Sequence, residues 1–189
     1  VDAIYMRKEE KKNGYQGRIS ILINADKREI IVHDNGVGMS PNQLDKAVQF
    51  YESEKMNDKN TVGEKGIGLS FAIFQSNSAK ITTNNGINSA QIVAIGARGW
   101  AESESIKPFN MPIENSPETS LRRGTEVILS GLRDNSFFSL NYEQLVFTIR
   151  THTAIGNTLG IWRGDRRNNL NNIKVKLTYI NEKKSINYV

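Results

Sequence analysis

The feature that most constrains this chain is a pair of glycine-rich runs, DNGVGM at residues 34–39 and GEKGIGL at residues 63–69. We call them the first and the second glycine box. Glycine has no Cβ atom, so the backbone can turn sharply there and approach a ligand closely. Each box alone also fits an ordinary turn or a flexible loop. The predicted strands and helices that flank each box therefore help to distinguish a shared ligand site from two unrelated loops.

The first glycine box follows a predicted β-hairpin. Residues 18–24 alternate between polar and apolar side chains, and residues 29–33 form a second strand after a short turn. Asp34 then stands at the end of a strand, where a buried carboxylate is costly unless a donor pairs with it. The exocyclic amine of adenine is such a donor, and the polarizable side chain of Met39 suits packing on a flat ring. Ser40-Pro41 predicts the start of a helix.

The second glycine box lies between a polar segment and a predicted helix. Residues 52–62 lack apolar periodicity and indicate a loop, whereas residues 66–77 are predicted to be helical. Glycines before a helix expose backbone N–H groups that bind phosphate, and Lys65 adds a positive charge. A dinucleotide-binding fold uses similar spacing, but it needs a strand before the box and an acidic residue after the next strand. Neither is found here, so a different phosphate-binding loop is favoured.

The rest of the chain is predicted to contain mostly strands and connections. The predicted elements are a helix at 1–12, strands at 80–83, 89–97, 125–130 and 173–180, and a helix at 142–153. Residues 98–121, which contain several prolines, and residues 156–172 are predicted to be irregular connections.

The composition of the chain excludes several kinds of chemical site and of partner. The 189 residues include no cysteine, which excludes disulfides, thiolate metal sites and a cysteine nucleophile. The net charge of +5 allows contact with nucleic acid, but solvated lysines explain it as well, and residues 162–167 favour a solvated loop. No apolar run reaches the ~18 residues that cross a bilayer, and no signal peptide is visible at the start. We therefore expect a cytoplasmic protein without a membrane partner.

The order of the two boxes and a later Gly124-Thr125, which opens a strand, resembles the nucleotide site of the GHKL ATPases. This superfamily comprises DNA gyrase, heat-shock chaperones, histidine kinases and DNA mismatch-repair ATPases. The second box is most similar to heat-shock-chaperone-like and microrchidia-like ATP-binding domains. The resemblance implies an α+β fold, a two-layer α/β sandwich of the Bergerat type, with helices on one face of a mixed, mainly antiparallel sheet. It also implies ATP and Mg²⁺ as cofactors.

The resemblance also implies roles for individual residues. In these ATPases the aspartate of the first box pairs with adenine, a threonine binds beside it, and the second box holds phosphate. The residues implied to bind ATP are Asp34, Gly36, Gly38, Met39, Gly63, Lys65, Gly66, Ile67, Gly68, Leu69 and Thr125. Residues 52–62 correspond to the ATP lid. We expect Mg²⁺-dependent ATP hydrolysis that drives lid closure or a nucleotide-dependent homodimer.

The catalytic and metal-binding residues of the family would precede residue 1. The family motif places a general-base Glu and a Mg²⁺-binding Asn shortly before an Asp-Ala pair. Val1-Asp2-Ala3 resembles the end of that motif, so no catalytic or metal-binding residue is assigned within the 189 residues. We expect the natural chain to start earlier, because the first helix would otherwise begin at the motif itself and lack the turns that carry its Glu and Asn. The other interpretation is a degenerate nucleotide binder.

Two further functions stay open. One is a nucleotide-sensing module that binds ATP or ADP without hydrolysis, and the other is the catalytic domain of a histidine kinase. Residues 1–157 are predicted to form the ATP-binding domain, and residues 158–189 a linker and the start of a following β-containing domain.

Overall fold

The structure, a computed structural model, describes residues 2–11, 14–49, 68–104, 106–115, 117–133, 136–153, 155, 173–181 and 186–188. Within these ranges the helices are α1 (Asp2–Lys11), α2 (Pro41–Val48), α3 (Gly68–Phe74), α4 (Ala97–Glu102) and α5 (Tyr142–His152), with a short 3-10 helix at Ser136–Ser139. The strands are β1 (Arg18–Asn24), β2 (Glu29–Asp34), β3 (Ser78–Asn84), β4 (Ser89–Ile95), β5 (Ile113–Asn115), β6 (Gly124–Ser130), β7 (Lys174–Asn181) and β8 (Ile186–Tyr188). The predicted loops 52–62 and 156–172 lie outside the described residues.

The strands form one mixed sheet in the order β5-β4-β3-β6-β2-β1-β7-β8. Every neighbouring pair is antiparallel except β1 and β7, which run parallel. The predicted hairpin is confirmed as β1 and β2, with Ile19 opposite Asp34 and Ile23 opposite Ile30. Strand β6 lies between β3 and β2, so the centre of the sheet joins segments that are distant in the chain.

One face of the sheet, which we call the inner face, carries the core. Alternation along β1 directs Ile19, Ile21 and Ile23 to this face, and all three are buried. Ile4 of α1 and Leu145 of α5 pack against them. The other three helices, α2, α3 and α4, pack against β3 and β4 in a second apolar cluster. Among the described residues, the apolar core therefore lies between the helices and this face.

The opposite face, which we call the outer face, is open on β4. Val93 and Ile95 point outward there and are 40% and 74% exposed. Each described helix contributes side chains to one of the two inner-face clusters. The predicted fold class is confirmed, because helices cover one face of a mixed, mainly antiparallel sheet in a two-layer α/β sandwich.

Helix α2 begins at the predicted position because Ser40 caps it. The Ser40 hydroxyl accepts a hydrogen bond from the Gln43 backbone N–H at 3.3 Å, and the Gln43 side chain accepts one from the Ser40 N–H at 2.9 Å. This reciprocal pair is a capping box, and Pro41 occupies the first turn. The cap fixes the direction of the chain directly after Met39, the last residue of the first glycine box.

The prediction of an irregular connection over residues 98–121 is wrong in two places, because α4 and β5 occupy parts of it. In α4 the Trp100 ring packs against Phe74 and Phe109, with centroid distances of 5.3 and 5.6 Å. Strand β5 forms by pairing with β4. Both elements depend on tertiary contacts, which local sequence patterns do not contain.

Strand β7 lies beside β1 in the same sheet. Leu177 is opposite Ile21 and Tyr179 is opposite Ile23, so both extend the inner-face core. Tyr179 is fully buried, and its hydroxyl donates a hydrogen bond to the Leu140 carbonyl at 3.0 Å. The start of a following domain within residues 158–189 stays a prediction, and β7 itself completes the core over β1.

Candidate functional site

Three polar residues lie side by side at one end of the inner face. Asp34 of β2 is directly opposite Thr125 of β6, and Thr125 is directly opposite Thr83 of β3. Residues paired in this way point to the same face, with Cβ atoms about 5 Å apart. The sheet register therefore brings together two residues predicted from the sequence, Asp34 and Thr125, and one that no motif indicates, Thr83.

Thr83 is the centre of a hydrogen-bond network that joins these strands. Its side chain is fully buried. The Thr83 Oγ1 atom accepts a hydrogen bond from the Met39 N–H at 2.9 Å and donates to the Gly124 carbonyl at 3.1 Å. The Thr125 Oγ1 atom lies 3.1 Å away as a further partner. Because buried hydroxyls need such partners, Thr83 fixes the end of the first glycine box against Gly124-Thr125.

The Asp34 carboxylate is held by the box that follows it. Its Oδ1 atom accepts a hydrogen bond from the Gly36 N–H at 2.7 Å, a local turn that aspartate commonly forms. Burial raises the pKa of Asp34, and the hydrogen bond from Gly36 acts in the opposite direction. A carboxylate has about four lone-pair sites, so Asp34 retains the capacity to accept a hydrogen bond from a ligand.

Two glycines of the site are required by close approaches between backbone segments. Gly38 has a φ of 71°, and a Cβ atom there would clash with the Asn84 carbonyl. Gly124 has a φ of 130°, and a Cβ atom there would clash with the Asp34 carbonyl. Residues with a side chain rarely adopt such positive φ values. The first glycine box therefore packs directly against β3 and the start of β6.

Asn35, the second residue of the first glycine box, joins this box to the start of β1 and to the segment before it. Its Oδ1 atom accepts a hydrogen bond from the Arg18 N–H at 2.7 Å, and its Nδ2 donates to the Gln16 carbonyl at 3.0 Å. The Tyr15 hydroxyl lies 2.7 Å from the Asn35 carbonyl and 2.9 Å from Oδ1. Burial raises the pKa of Tyr15 to about 12, while the nearby Arg7 lowers it. Asn35 therefore acts as a structural residue inside the predicted ligand box.

The other predicted site residues are only partly within the described chain. Met39 and Leu69 are half-buried against the inner-face core. Gly68 begins α3 and is exposed. The other predicted site residues of the second box, Gly63, Lys65, Gly66 and Ile67, lie outside the described residues. The described structure therefore contains the first box, Gly124-Thr125 and the last two residues of the second box.

A cavity of about 440 Å³ opens at the same end of the sheet but on its outer side. His33 and Glu126, which alternate with Asp34 and Thr125 along β2 and β6, line it. Neither Asp34 nor Thr125 does. The cavity is therefore distinct from the predicted adenine site, whose predicted lid, residues 52–62, lies outside the described residues.

Thr83 and Asn35 are the site residues that motif analysis alone misses. Alternation along β3 gives a signal for Thr83, because it shares a face with the buried Ala79 and Ile81. A polar residue at a core position of a strand must find a hydrogen-bond partner. No comparable signal marks Asn35, since Asp-Asn-Gly is also a common turn sequence.

Comparison with known proteins identifies the family. The family described as "Histidine kinase-, DNA gyrase B-, and HSP90-like ATPase" matches residues 11–119, more than half of the chain. The chain belongs to this ATPase family. The match includes both glycine boxes, and it confirms the resemblance to the GHKL ATPases. Family membership supports ATP binding and hydrolysis as the general activity of this domain.

Sequence similarity to one chaperone indicates the branch of the GHKL ATPases. The chain is 27% identical over 99 residues to the chaperone protein HtpG of Buchnera aphidicola subsp. Cinara cedri (strain Cc). The aligned part covers 44% of this chain and 16% of the chaperone. This GHKL domain is therefore heat-shock-chaperone-like in sequence, and it corresponds to a small part of that relative.

Two kinds of feature are absent from the described residues. None of their helices is long and apolar enough to cross a membrane. They also contain no group of three or more histidine, aspartate or glutamate side chains that could hold a metal ion. The part of this GHKL domain that the structure describes thus contains no such metal-binding cluster.

Proposed function

We propose that this domain binds ATP with adenine against the inner-face end of β2 and β6 and the triphosphate at the second glycine box. The observation that supports this best is the direct opposition of Asp34 and Thr125, next to the turn of the first box. The base would lie on the inner face, between the sheet and the helices.

Adenine fits the chemistry of Asp34. The exocyclic amine is a donor, and the carboxylate is an acceptor whose Oδ1 atom already accepts a hydrogen bond from the Gly36 N–H. A hydrogen bond to a charged group contributes about 1.5–3 kcal/mol, more than a bond between neutral groups. Gly38 adds no side chain at the turn, and Met39 supplies a polarizable contact for the ring.

The phosphates are assigned to the second glycine box on sequence grounds. Backbone N–H groups at a glycine-rich helix start bind phosphate oxygens, and Lys65 adds a cation. The match to the ATPase family includes this box. Mg²⁺ would enter with the triphosphate, and we assign it no protein ligand.

The polar segment before the second glycine box is the proposed ATP lid. Residues 52–62 would close over bound ATP and open after hydrolysis, because the triphosphate offers them partners that ADP lacks. Closure would favour association of two copies of the protein. The domain would then respond to whether ATP or ADP is bound, and not simply to whether a nucleotide is bound.

Calorimetric titration with ATP tests the base assignment. We expect Asp34→Asn to weaken ATP binding about thirtyfold, because the charged acceptor is lost. The matched control is Asp45→Asn, because Asp45 is an exposed residue of α2. Circular dichroism confirms that both variants are folded. Unchanged ATP affinity in folded Asp34→Asn would remove Asp34 from the base site.

A second measurement, phosphate release by the wild type, distinguishes an ATPase from a nucleotide sensor that does not hydrolyse ATP.

Hydrogen exchange tests the switch. We expect protection of residues 52–62 with a non-hydrolysable ATP analogue and less protection with ADP or without nucleotide. Light scattering under the same conditions reports association. Equal protection in all three states would show that these residues are not a nucleotide-controlled lid.

A further inference from the structure

Three consecutive carbonyl groups of the first glycine box are held by two arginines from other parts of the chain. The Arg7 Nη1 atom, on α1, donates to the Asn35 carbonyl at 2.5 Å and to the Gly36 carbonyl at 3.3 Å. The Arg123 Nε atom donates to the Val37 carbonyl at 3.1 Å. We call Arg7 and Arg123 the arginine clamp.

These carbonyls need such partners because the first box leaves the sheet after β2. In a strand, neighbouring strands satisfy the backbone groups, whereas a partly buried turn must find donors elsewhere. A guanidinium presents five N–H donors in one plane, so a single arginine can serve two carbonyls and still form an ion pair. A lysine cannot reproduce this geometry with one nitrogen.

The Arg123 side chain is anchored at its far end. Its Nη2 atom forms an ion pair with Glu10 of α1 at 2.8 Å. Its Cδ atom lies 3.4 Å from where a Cβ atom of Gly86 would be, so the β3–β4 turn leaves room for it. Arg123 also immediately precedes Gly124-Thr125. One side chain therefore connects α1, the first glycine box and the start of β6.

The Arg7 side chain is fixed in a similar way. Its guanidinium carbon lies 5.0 Å from the centroid of the Tyr15 ring, a cation–π contact. Nearby, the Val37 N–H donates a hydrogen bond to the Ala3 carbonyl at 2.9 Å, which joins the box to the backbone of α1 as well. Helix α1 thus contacts the box through its own backbone and through both arginines.

We propose that the arginine clamp positions the Asp34 carboxylate for base recognition, an inference that rests on the proposed function. The Gly36 N–H bonds to Asp34, and the Gly36 carbonyl is bound by Arg7. Fixing the carbonyls of the box therefore fixes the N–H that orients the carboxylate. Neither arginine needs to touch the nucleotide, so the clamp acts through Asp34 and affects the base more than the phosphates.

Comparing ATP with ITP measures this effect. In ITP a carbonyl oxygen replaces the exocyclic amine, so an acceptor stands where the amine donor would face Asp34, and the wild type should prefer ATP. We expect Arg123→Met to weaken ATP binding about tenfold, as loss of supporting partners does at other sites, with a smaller change for ITP. The preference for ATP should therefore fall. Arg123→Lys retains the charge beside Glu10 but not the planar donor group, and it should fall between the wild type and Arg123→Met.

The neighbouring Arg122 provides a matched control. It is exposed and makes no hydrogen bond or ion pair with the residues that the structure describes, so Arg122→Met should leave both affinities unchanged. Thermal unfolding is measured for every variant, and Arg123→Lys decides the question if Arg123→Met does not fold. Equal losses for ATP and ITP, with or without a lower Tm, would overturn the positioning role. Absence of ATP binding by the wild type would instead reject the proposed function. The wild-type titration therefore tests the proposed function, and the variants test only the positioning role.

Discussion

Asp34 and Thr125 occupy directly opposite positions on two antiparallel strands, and both point to the inner face. The same register pairs Val32 with Val127 and Ile30 with Leu129 in the core. A slip of one residue would turn every side chain of a strand to the other face. The apolar pairs of the core therefore also preserve the relation between the two polar residues of the site.

Replacement of Thr83 by valine should destabilise the fold while keeping the volume of the side chain. The Met39 N–H and the Gly124 carbonyl would lose a buried partner, which costs about 1–3 kcal/mol. Urea unfolding measures the change. Thr178→Val, at an outward position of β7, is the control and should change stability by less than about 0.5 kcal/mol. Equal midpoints for the two variants would show that the Thr83 network does not contribute to stability.

Asn35→Ala should destabilise the fold by about 2 kcal/mol, because the Arg18 N–H and the Gln16 carbonyl lose partners at a partly buried position. Asn88, an exposed residue of the β3–β4 turn, provides the control Asn88→Ala. Differential scanning calorimetry compares the two. A Tm for Asn35→Ala equal to that of the control would contradict the structural role assigned to Asn35.

Alanine at two glycines should have opposite effects. Gly124→Ala introduces a Cβ atom that clashes with the Asp34 carbonyl at a positive φ, and strain of this kind costs about 1–3 kcal/mol. Gly99 lies within α4 with open space around it, so Gly99→Ala should stabilise the fold by about 0.5–1 kcal/mol. Chemical unfolding checks both values. If Gly124→Ala were as stable as the wild type, the close approach of β6 to β2 would not require glycine.

Adenosine affinity should fall as the pH falls, and the decline should begin at a higher pH than an ordinary aspartate would give. Burial raises the pKa of Asp34, and protonation removes the charged acceptor. Titrations between about pH 4 and pH 8 measure this, and adenosine avoids the ionisation of the phosphates. Asp34→Asn should remove this dependence. An unchanged pH profile in that variant would assign it to another group.

The raised pKa of Asp34 has the opposite effect on the stability of the fold: lower pH weakens adenosine binding but does not weaken the contribution of Asp34 to folding. Because the pKa of Asp34 is higher in the folded than in the unfolded state, ionised Asp34 disfavours the fold. That penalty is relieved as the pH falls through the raised pKa. Loss of adenosine affinity at low pH would therefore not be accompanied by unfolding caused by Asp34.

Local signals in the sequence predict the first hairpin and the start of α2 correctly. Alternation along β1 and the Ser40-Pro41 cap depend only on neighbouring residues. The position of Thr83 beside Thr125 depends on the pairing of β3 with β6, and α4 depends on the contact of Trp100 with Phe74. Such contacts arise between distant segments. The spacing of residues within one segment therefore indicates the first glycine box, but it does not indicate the residues from other segments that support this box.

The place of β7 in the sheet determines how far the nucleotide domain can be shortened. A chain that ended at residue 157, the boundary predicted from the sequence, would lose β7 and make β1 the edge of the sheet. Unpaired backbone groups along an apolar edge strand promote pairing with other chains. Aggregation, before any loss of nucleotide affinity, would then be the first defect of the shortened protein. A soluble fragment should therefore extend at least to Asn181, the last residue of β7.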